Sequence, residues 1–171
     1  MRKPRERTWA ARRPIPLTLE ERAQAERLIA EAAALPEADP RAFERLLRRF
    51  PRNDGKFAKD QLVAVYRELV ALGRVKPDPG LLRRLQMKPV RTLSGVATVT
   101  VLTRPFPCPG ECIFCPTDVR MPKSYLHDEP GAQRAEAHGF DPYETTAGRL
   151  RALENIGHPT DKVELLILGG T

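Results

Sequence analysis

The stretch Cys108-Pro-Gly-Glu-Cys112-Ile-Phe-Cys115 contains all three cysteines of the 171-residue chain, separated by three and then by two residues. Three thiolates on one short loop can hold three corners of a cubane [4Fe-4S] cluster, which leaves the fourth iron without a protein ligand. That iron can chelate the amine and carboxylate of S-adenosylmethionine, and electron transfer then breaks a C–S bond to give a 5′-deoxyadenosyl radical. The spacing, which is typical of radical S-adenosylmethionine enzymes, predicts that these cysteines are iron–sulfur ligands.

Two other uses of the cysteines compete with this interpretation. A structural zinc site usually has four ligands, so the fourth would have to be a histidine: His127, His138 or His158. A thioredoxin-like pair would use Cys112 and Cys115 and leave Cys108 without a role. The odd count argues against a disulfide framework, and clustered thiols suit a reducing cytosol. We therefore expect a cytoplasmic protein.

Two apolar runs flank the cysteines and predict a parallel sheet. Residues 98–102 are β-branched or apolar and lead into the cysteine stretch, and residues 163–168 form a second apolar run. A helix is predicted from Asp141-Pro142 to Gly157, after a long polar loop over residues 116–140. Strand, loop, helix and strand make one βαβ unit. The cysteines then lie at the carboxyl end of a strand, where α/β barrels place their chemistry.

The N-terminal part has a different character, which predicts three regions in the chain. Residues 1–16 read as a flexible basic arm, residues 17–87 as a helical domain, and residues 88–171 as the start of a truncated α/β domain. Thr18 and Glu21 have the spacing of a capping box, and Asp39-Pro40 predicts a second helix start with Asp39 as N-cap. Further helices are predicted over residues 58–72 and 81–85.

Charge is distributed unevenly along the chain. The 107 residues before Cys108 contain 23 basic and 12 acidic residues, while the rest contains 6 basic and 10 acidic residues, so the two parts carry +11 and −4. This asymmetry favours a polyanion bound by the N-terminal part, although a solvated basic surface is equally compatible with it. The candidate RNA-binding residues are arginines of the arm and the second helix: Arg12, Arg13, Arg41, Arg45, Arg48, Arg49 and Arg52.

Taken together, several runs resemble the catalytic subunit of Elongator and its single-chain bacterial and archaeal relatives, which are radical S-adenosylmethionine enzymes fused to an acetyltransferase domain. The resemblance covers about residues 88–171, whereas residues 1–87 match only in their basic helical character. The short spacing between the first two cysteines fits a prokaryotic form. The runs are Lys88 to Val96, Cys115-Pro116, Ser124-Tyr125, Glu129-Pro130, Arg134-Ala135, Asp141-Pro142-Tyr143, Gly157 to Glu164, and Gly169-Gly170-Thr171.

The resemblance implies modification of the wobble uridine of tRNA at carbon 5, through an acetyl group that comes from acetyl-CoA. The three cysteines match the cluster ligands, and Lys162 matches a lysine that contacts acetyl-CoA, through a CoA phosphate or the thioester oxygen. In this context Gly169, Gly170 and Thr171 suit a contact to the methionyl amine of S-adenosylmethionine.

The implied fold is a basic helical domain followed by the first βαβ unit of a TIM-like radical S-adenosylmethionine barrel. A complete barrel needs about 200 residues or more, so we expect a fragment that is inactive by itself. The expected partner is tRNA, no membrane is expected, and the full-length form is a candidate homodimer. The electron donor is left open. The alternatives are another radical enzyme acting on tRNA, such as a methylthiotransferase, and a non-catalytic RNA-binding module that holds zinc.

Overall fold

The computed structural model describes residues 16–36, 39, 41–52, 55–116 and 118–169. The chain divides into two compact units. The helical unit comprises residues 16–94 together with Leu153–Pro159, and the sheet unit comprises Gly95–Ala152 together with residues 160–169. Among the described residues, none of the helices combines the length and the apolar character that crossing a membrane requires.

Within its described residues, the helical unit contains four helices, a two-stranded hairpin and a short 3-10 turn over Pro89–Thr92. The hairpin strands pair antiparallel. Its elements are α1 (Leu19–Ala33), α2 (Ala42–Arg49), β1 (Pro51–Arg52), β2 (Gly55–Lys56), α3 (Lys59–Ala71) and α4 (Pro79–Leu85).

The apolar faces predicted for these helices form one core. Leu28 of α1, Leu46 of α2, Leu62 of α3 and Leu85 of α4 all belong to a single buried cluster. Apolar residues that recur every three or four positions lie on one helix face, so the periodicity alone specifies which side chains are buried. The core of the helical unit therefore follows from a local sequence pattern.

The helix starts of this unit test the capping predictions. The Thr18 hydroxyl accepts a hydrogen bond from the backbone N–H of Glu21 at 3.2 Å, and the Glu21 carboxylate accepts one from the Thr18 N–H at 2.9 Å, which confirms the capping box. The prediction of Asp39 as N-cap of α2 is wrong, since the N-cap is Arg41. Asp39 instead accepts from the Arg41 N–H at 2.9 Å and pairs with the guanidinium of Arg45, so it supports the first turn from outside the helix.

The sheet unit contains β3 (Ala97–Leu102), α5 (Pro130–Ala137), most of α6 (Pro142–Asn155), whose end from Leu153 onward belongs to the helical unit, and β4 (Val163–Leu168). The strands pair parallel and in full register, from Ala97 opposite Val163 to Leu102 opposite Leu168. Both strands lie where the apolar runs predicted them. Whether this pair belongs to a TIM-like barrel stays a prediction, because two parallel strands are common to many sheets.

The long polar loop predicted over residues 116–140 is partly wrong, because α5 lies inside it. Pro130 occupies the first turn of α5, a position where its missing N–H costs nothing and its fixed φ favours a helix. Ala132 and Ala135 then pack in a small core with Leu102 and Met121. Prolines in this stretch favour irregular structure, although one of them begins a helix.

The two strands differ in burial. In β3, alternate residues are buried, including Val99 and Val101. In β4 every residue is exposed, and Ile167 retains 69% of its accessible surface. The apolar composition of β4 is that of a parallel strand covered on both faces, so β4 presents an apolar surface within the described chain.

Candidate functional site

The cysteine loop begins directly beyond the carboxyl end of β3. The Thr103 N–H donates to the Leu168 carbonyl at 2.9 Å, so the pairing with β4 continues one residue past Leu102 before the chain leaves the sheet. All three thiols are free; Cys112 is exposed, and Cys108 and Cys115 are half-buried. The segment that leads to the cysteines is thus paired with β4 at its first residue, and the sulfurs beyond it are partly or fully accessible.

Gly110 brings two of the sulfurs to one side of the loop. A methyl group at this position would lie 3.5 Å from Cys108 Sγ and 3.7 Å from Cys112 Sγ, which is ordinary van der Waals contact, so both sulfurs lie on the side of the loop towards which a Cβ would point. The Gly110 N–H also donates to Cys108 Sγ at 3.4 Å. The third cysteine follows by a tight turn, because the Cys115 N–H donates to the Cys112 carbonyl at 3.0 Å.

This donor set fits an iron–sulfur cluster. It consists of thiols alone, and a backbone N–H already points at one sulfur, as it would towards a ligating thiolate. Within the described part of the chain, no group of three His, Cys, Asp or Glu residues is placed to hold a single metal ion. A cubane distributes its protein ligands over separate iron corners, so its thiolates do not have to converge on one point.

The chain that follows the cysteines is anchored by burial and by one ion-pair cluster. Met121 and Pro122 are buried, and Arg120 binds Asp118 through two guanidinium nitrogens at 3.0 and 2.8 Å. His127 Nδ1 lies 3.3 Å from the same carboxylate. Hydrogen bonds from the Arg120 side chain and backbone, with the charge of that guanidinium, lower the pKa of Asp118 to about 2.

A cleft of about 290 Å³ lies beside this segment. Phe106 and Val119, both largely exposed, form apolar walls, and the cleft is also lined by one carboxylate and one ammonium group, those of Asp118 and Lys123. The Asp118 carboxylate is already paired with Arg120 and His127, so the cleft combines apolar walls with a carboxylate engaged in an ion pair.

Gly169 has a packing role that its sequence context does not predict. A Cβ at this position would lie 2.0 Å from Thr103 Oγ1, 2.9 Å from its Cγ2 and 3.0 Å from its Cβ. Because the Oγ1 and Cγ2 of Thr103 would both have to move away from such a group, position 169 favours glycine. The contact between Gly169 and S-adenosylmethionine stays a prediction. The contacts predicted for Gly170 and Thr171 lie outside the described residues.

Lys162 lies at the opposite end of the strand pair, where both strands begin. Its carbonyl accepts from the Ala97 N–H at 2.9 Å, at the start of both strands, and its side chain is exposed. The cysteine loop and Gly169 lie at the other end of the strands, six residues away, or about 20 Å at about 3.3 Å per residue. The strand register therefore places Lys162 and Gly169 at opposite ends of the strand pair, and the segment that leads to the cysteines leaves the sheet at the end where Gly169 lies.

His158 is not available as a zinc ligand. It is 1% exposed, and its Nε2 lies 2.8 Å from the Met87 carbonyl. Its Nδ1 lies 2.7 Å from Gln86 Nε2 and 2.8 Å from Thr92 Oγ1. A carbonyl can only accept, so Nε2 carries the proton and Nδ1 accepts. Both ring nitrogens are occupied within the helical unit, which leaves His127 and His138 as candidates for that site.

The arginines predicted to bind RNA fall into two groups. Arg41, Arg45, Arg48 and Arg49 are exposed on the side of α2 opposite its buried apolar residues. Arg45 pairs with Asp39, and Arg49 NH1 lies 3.1 Å from Glu31, while Arg41 and Arg48 form no ion pair with another described residue. These four form the arginine face of α2. The predicted RNA contacts of Arg12 and Arg13 lie outside the described residues.

Arg52 is different, because its side chain is 6% exposed. Its NH2 lies 2.8 Å from the Glu21 carboxylate, its NH1 donates to Gln61 at 3.1 Å, and its guanidinium lies 5.5 Å from the Phe57 ring centroid. These contacts hold the hairpin against α1 and α3. Burial of the guanidinium removes Arg52 from the arginine face.

Comparison with known proteins adds a relationship that geometry cannot supply. No protein-family model matches the chain. Over 81 residues the chain is 52% identical to "tRNA uridine(34) acetyltransferase" of Dehalococcoides mccartyi, a match covering 47% of this chain and 18% of that protein. Over 93 residues it is 52% identical to the protein of the same name from Methanocaldococcus infernus, covering 51% and 17%. "Elongator complex protein 3" of Schizosaccharomyces pombe is 38% identical over 128 residues, covering 66% and 24%. The resemblance to the Elongator catalytic-subunit family is confirmed.

The match to the Elongator family is partial on both sides. The matched region is less than a quarter of each of these relatives' own length. The activities that the names of these relatives describe are therefore only proposed for this chain.

Two features of this Elongator-related chain are not predicted by its sequence. One is the position of Ser124 beside Cys115, with 3.8 Å between Oγ and Sγ. The other is the enclosure of His158 by polar groups from residues 86–92. Neither contact is indicated by a local sequence pattern. Ser124 and Cys115 are 9 positions apart in an irregular segment, and the partners of His158 lie 66 to 72 positions away from it.

Proposed function

We propose that this chain is part of an enzyme that modifies uridine 34 of tRNA at carbon 5, with an acetyl group from acetyl-CoA and with a [4Fe-4S] cluster and S-adenosylmethionine as cofactors. One observation carries the proposal: three free thiols lie on a loop at the carboxyl end of β3 in a chain whose relatives are named tRNA uridine(34) acetyltransferase. Those names favour acetyl transfer over the methylthiotransferase alternative.

Cys108, Cys112 and Cys115 would hold the cluster. When bound, such a cluster supplies the electron that cleaves a C–S bond of S-adenosylmethionine. The chain's own contribution is to expose the sulfurs on one loop, with two of them on the same side of Gly110, and to pair Thr103 with Leu168 where the segment that leads to the cysteines leaves the sheet. The cleft lined by Asp118 and Lys123 supplies a carboxylate and an ammonium group close to that loop in sequence.

The position of Lys162 suggests which part of acetyl-CoA it contacts. It lies about 20 Å from the cysteine end of the strands, at about 3.3 Å per residue. If the acetyl group is activated near the cysteines, the Lys162 ammonium is too far for the thioester oxygen. An exposed ammonium is well suited to a CoA phosphate, and we favour that contact.

The arginine face of α2 would bind the tRNA backbone. Four exposed guanidinium groups on one short helix present many donors to phosphate oxygens, and arginine matches that geometry in a bidentate manner. The ion pairs of Arg45 and Arg49 are exposed and therefore weak, so phosphate can displace their carboxylate partners at small cost. The same binding would apply to a non-catalytic RNA-binding module, so this face alone does not decide between the two functions.

The cofactor proposal is tested by anaerobic reconstitution of the 171-residue chain with iron and sulfide. We expect a brown protein with broad visible absorption, and an electron paramagnetic resonance spectrum of the reduced cluster that changes when S-adenosylmethionine is added. Single replacements of Cys108, Cys112 or Cys115 by serine should abolish the cluster. A colourless wild-type protein that binds zinc would support the RNA-binding module and overturn the cluster.

The RNA interface is tested by the salt dependence of tRNA binding. The triple variant Arg45→Ala, Arg48→Ala, Arg49→Ala should bind more weakly, and the slope of log affinity against log salt should fall by about 1 for each arginine that binds a phosphate in the wild-type chain. Arg151→Ala is the matched control, because Arg151 is equally exposed but lies on α6. An unchanged slope in the triple variant, or an equal change in the control, would remove the arginine face from the interface.

A further inference from the structure

Ser124 occupies a backbone position that serine rarely takes. The Tyr125 N–H donates to the Pro122 carbonyl at 3.2 Å, which closes a four-residue turn, and Ser124 is the third residue of that turn with φ +75°. Lys123 is not among the residues with positive φ, so the turn is of type II, whose third position usually takes glycine. A strained conformation of this kind persists where the surrounding structure enforces it, and such residues cluster at functional sites.

The neighbours of Ser124 hold its backbone in place. Met121 and Pro122, which precede it by three and two residues, are buried, and Tyr125 directly after it packs against the core of Leu102, Met121, Ala132 and Ala135. Held from both sides, the turn places Ser124 Oγ 3.8 Å from Cys115 Sγ, within hydrogen-bonding distance for sulfur. Glycine would relieve the backbone and would leave this contact unmade.

We propose that Ser124 is a positioning residue that donates a hydrogen bond to the Cys115 thiolate and raises the reduction potential of the cluster. This inference rests on the proposed function, because it needs Cys115 to be a cluster ligand. A ligating thiolate has no proton, so in that state the hydroxyl is the donor and sulfur the acceptor. Hydrogen bonds to the ligand sulfurs are among the factors that set iron–sulfur potentials.

The direction of the effect follows from charge. Reduction adds one electron to the cluster from a low-potential one-electron reductant such as dithionite, and no bond is formed or broken. The added negative charge is shared by the ligand sulfurs, so a hydroxyl dipole that points at Cys115 stabilises the reduced state more than the oxidised one. Loss of the hydroxyl should make the cluster harder to reduce.

The test is a redox titration of the reconstituted full chain, followed by electron paramagnetic resonance of the reduced cluster. In Ser124→Ala the ratio of reduced to oxidised cluster at a fixed potential should fall about threefold, which is about 30 mV at 59 mV per factor of ten. Ser124→Gly should shift equally, since it also lacks the hydroxyl but accepts the positive φ without strain. Ser94→Ala, at the only other serine, should leave the potential unchanged.

The variants separate the hydroxyl from the backbone. If Ser124→Gly keeps the wild-type potential while Ser124→Ala shifts it, strain in the turn is the cause and the inference is wrong. If both variants form the cluster with an unshifted potential, the inference is again wrong while the cluster proposal stands. If the wild-type chain forms no cluster at all, the proposed function fails and the inference fails with it.

Discussion

His158 offers a quantitative test of how the helical unit is held together. The ring joins the end of α6 to residues 86–92, because Nε2 donates to the Met87 carbonyl and Nδ1 accepts from Gln86 and Thr92. In His158→Ala the Met87 carbonyl loses its donor, which costs about 1–3 kcal/mol for a buried group. Gln86 and Thr92 are 3.3 Å apart and can still bond to each other. With the space left by the ring, we expect a total loss of about 2–4 kcal/mol.

Two near-isosteric variants assign the loss to individual atoms. His158→Gln places an amide nitrogen near Nε2 and can still donate to the Met87 carbonyl, whereas His158→Asn places its amide near Nδ1 and cannot. We expect His158→Gln to lower the free energy of unfolding least and His158→Ala to lower it most. The Met87 carbonyl has no alternative donor, whereas Gln86 and Thr92 can bond to each other. The assay is urea unfolding of the 171-residue chain, followed by far-ultraviolet circular dichroism, with free energies from linear extrapolation.

The control is His127→Ala, since His127 is a half-exposed histidine whose removal should change stability by no more than about 0.5 kcal/mol. If His158→Ala also costs less than about 0.5 kcal/mol, the polar cluster around it does not contribute to stability. If asparagine is tolerated better than glutamine, the proton lies on Nδ1 and the assigned tautomer is wrong.

Three further predictions concern local contacts. Gly169→Ala should destabilise the chain by about 1–3 kcal/mol through its clash with Thr103, and Thr103→Ala should restore most of that stability in a double-mutant cycle; two additive effects would contradict the clash. The Arg120 guanidinium lowers the pKa of Asp118 to about 2 from the usual 3.8, so the stabilisation by this ion pair is present above pH 4 and is lost as pH falls towards 2. In Asp118→Asn the free energy of unfolding should therefore depend less on pH in that window, and an unchanged pH profile would refute the pairing. Thr18→Ala should cost about 1 kcal/mol in thermal unfolding through loss of the N-cap, and Thr18→Ser should cost much less.

Local pattern explains what could be predicted. The capping box at Thr18 and the parallel strand over residues 163–168 depend on residues close together in sequence, so spacing alone specifies them. The position of the cysteine loop along the chain could be predicted for the same reason, because the loop follows a strand that the local sequence pattern specifies. The helix α5 could not be predicted in this way, because a proline such as Pro130 indicates a loop as readily as it begins a helix.

The sequence by itself determined which residues are chemically able to act: three thiols at a fixed spacing, a row of arginines on one helix, and two apolar strands. Only the tertiary structure decided which of them meet. Parallel pairing places Lys162 at the end of the strands opposite the one that leads to the cysteines. Burial commits Arg52 and His158 to internal partners, and close approach to Thr103 favours a glycine at position 169. Spacing along the chain fixes local conformation, whereas contacts between residues tens of positions apart depend on how whole elements pack.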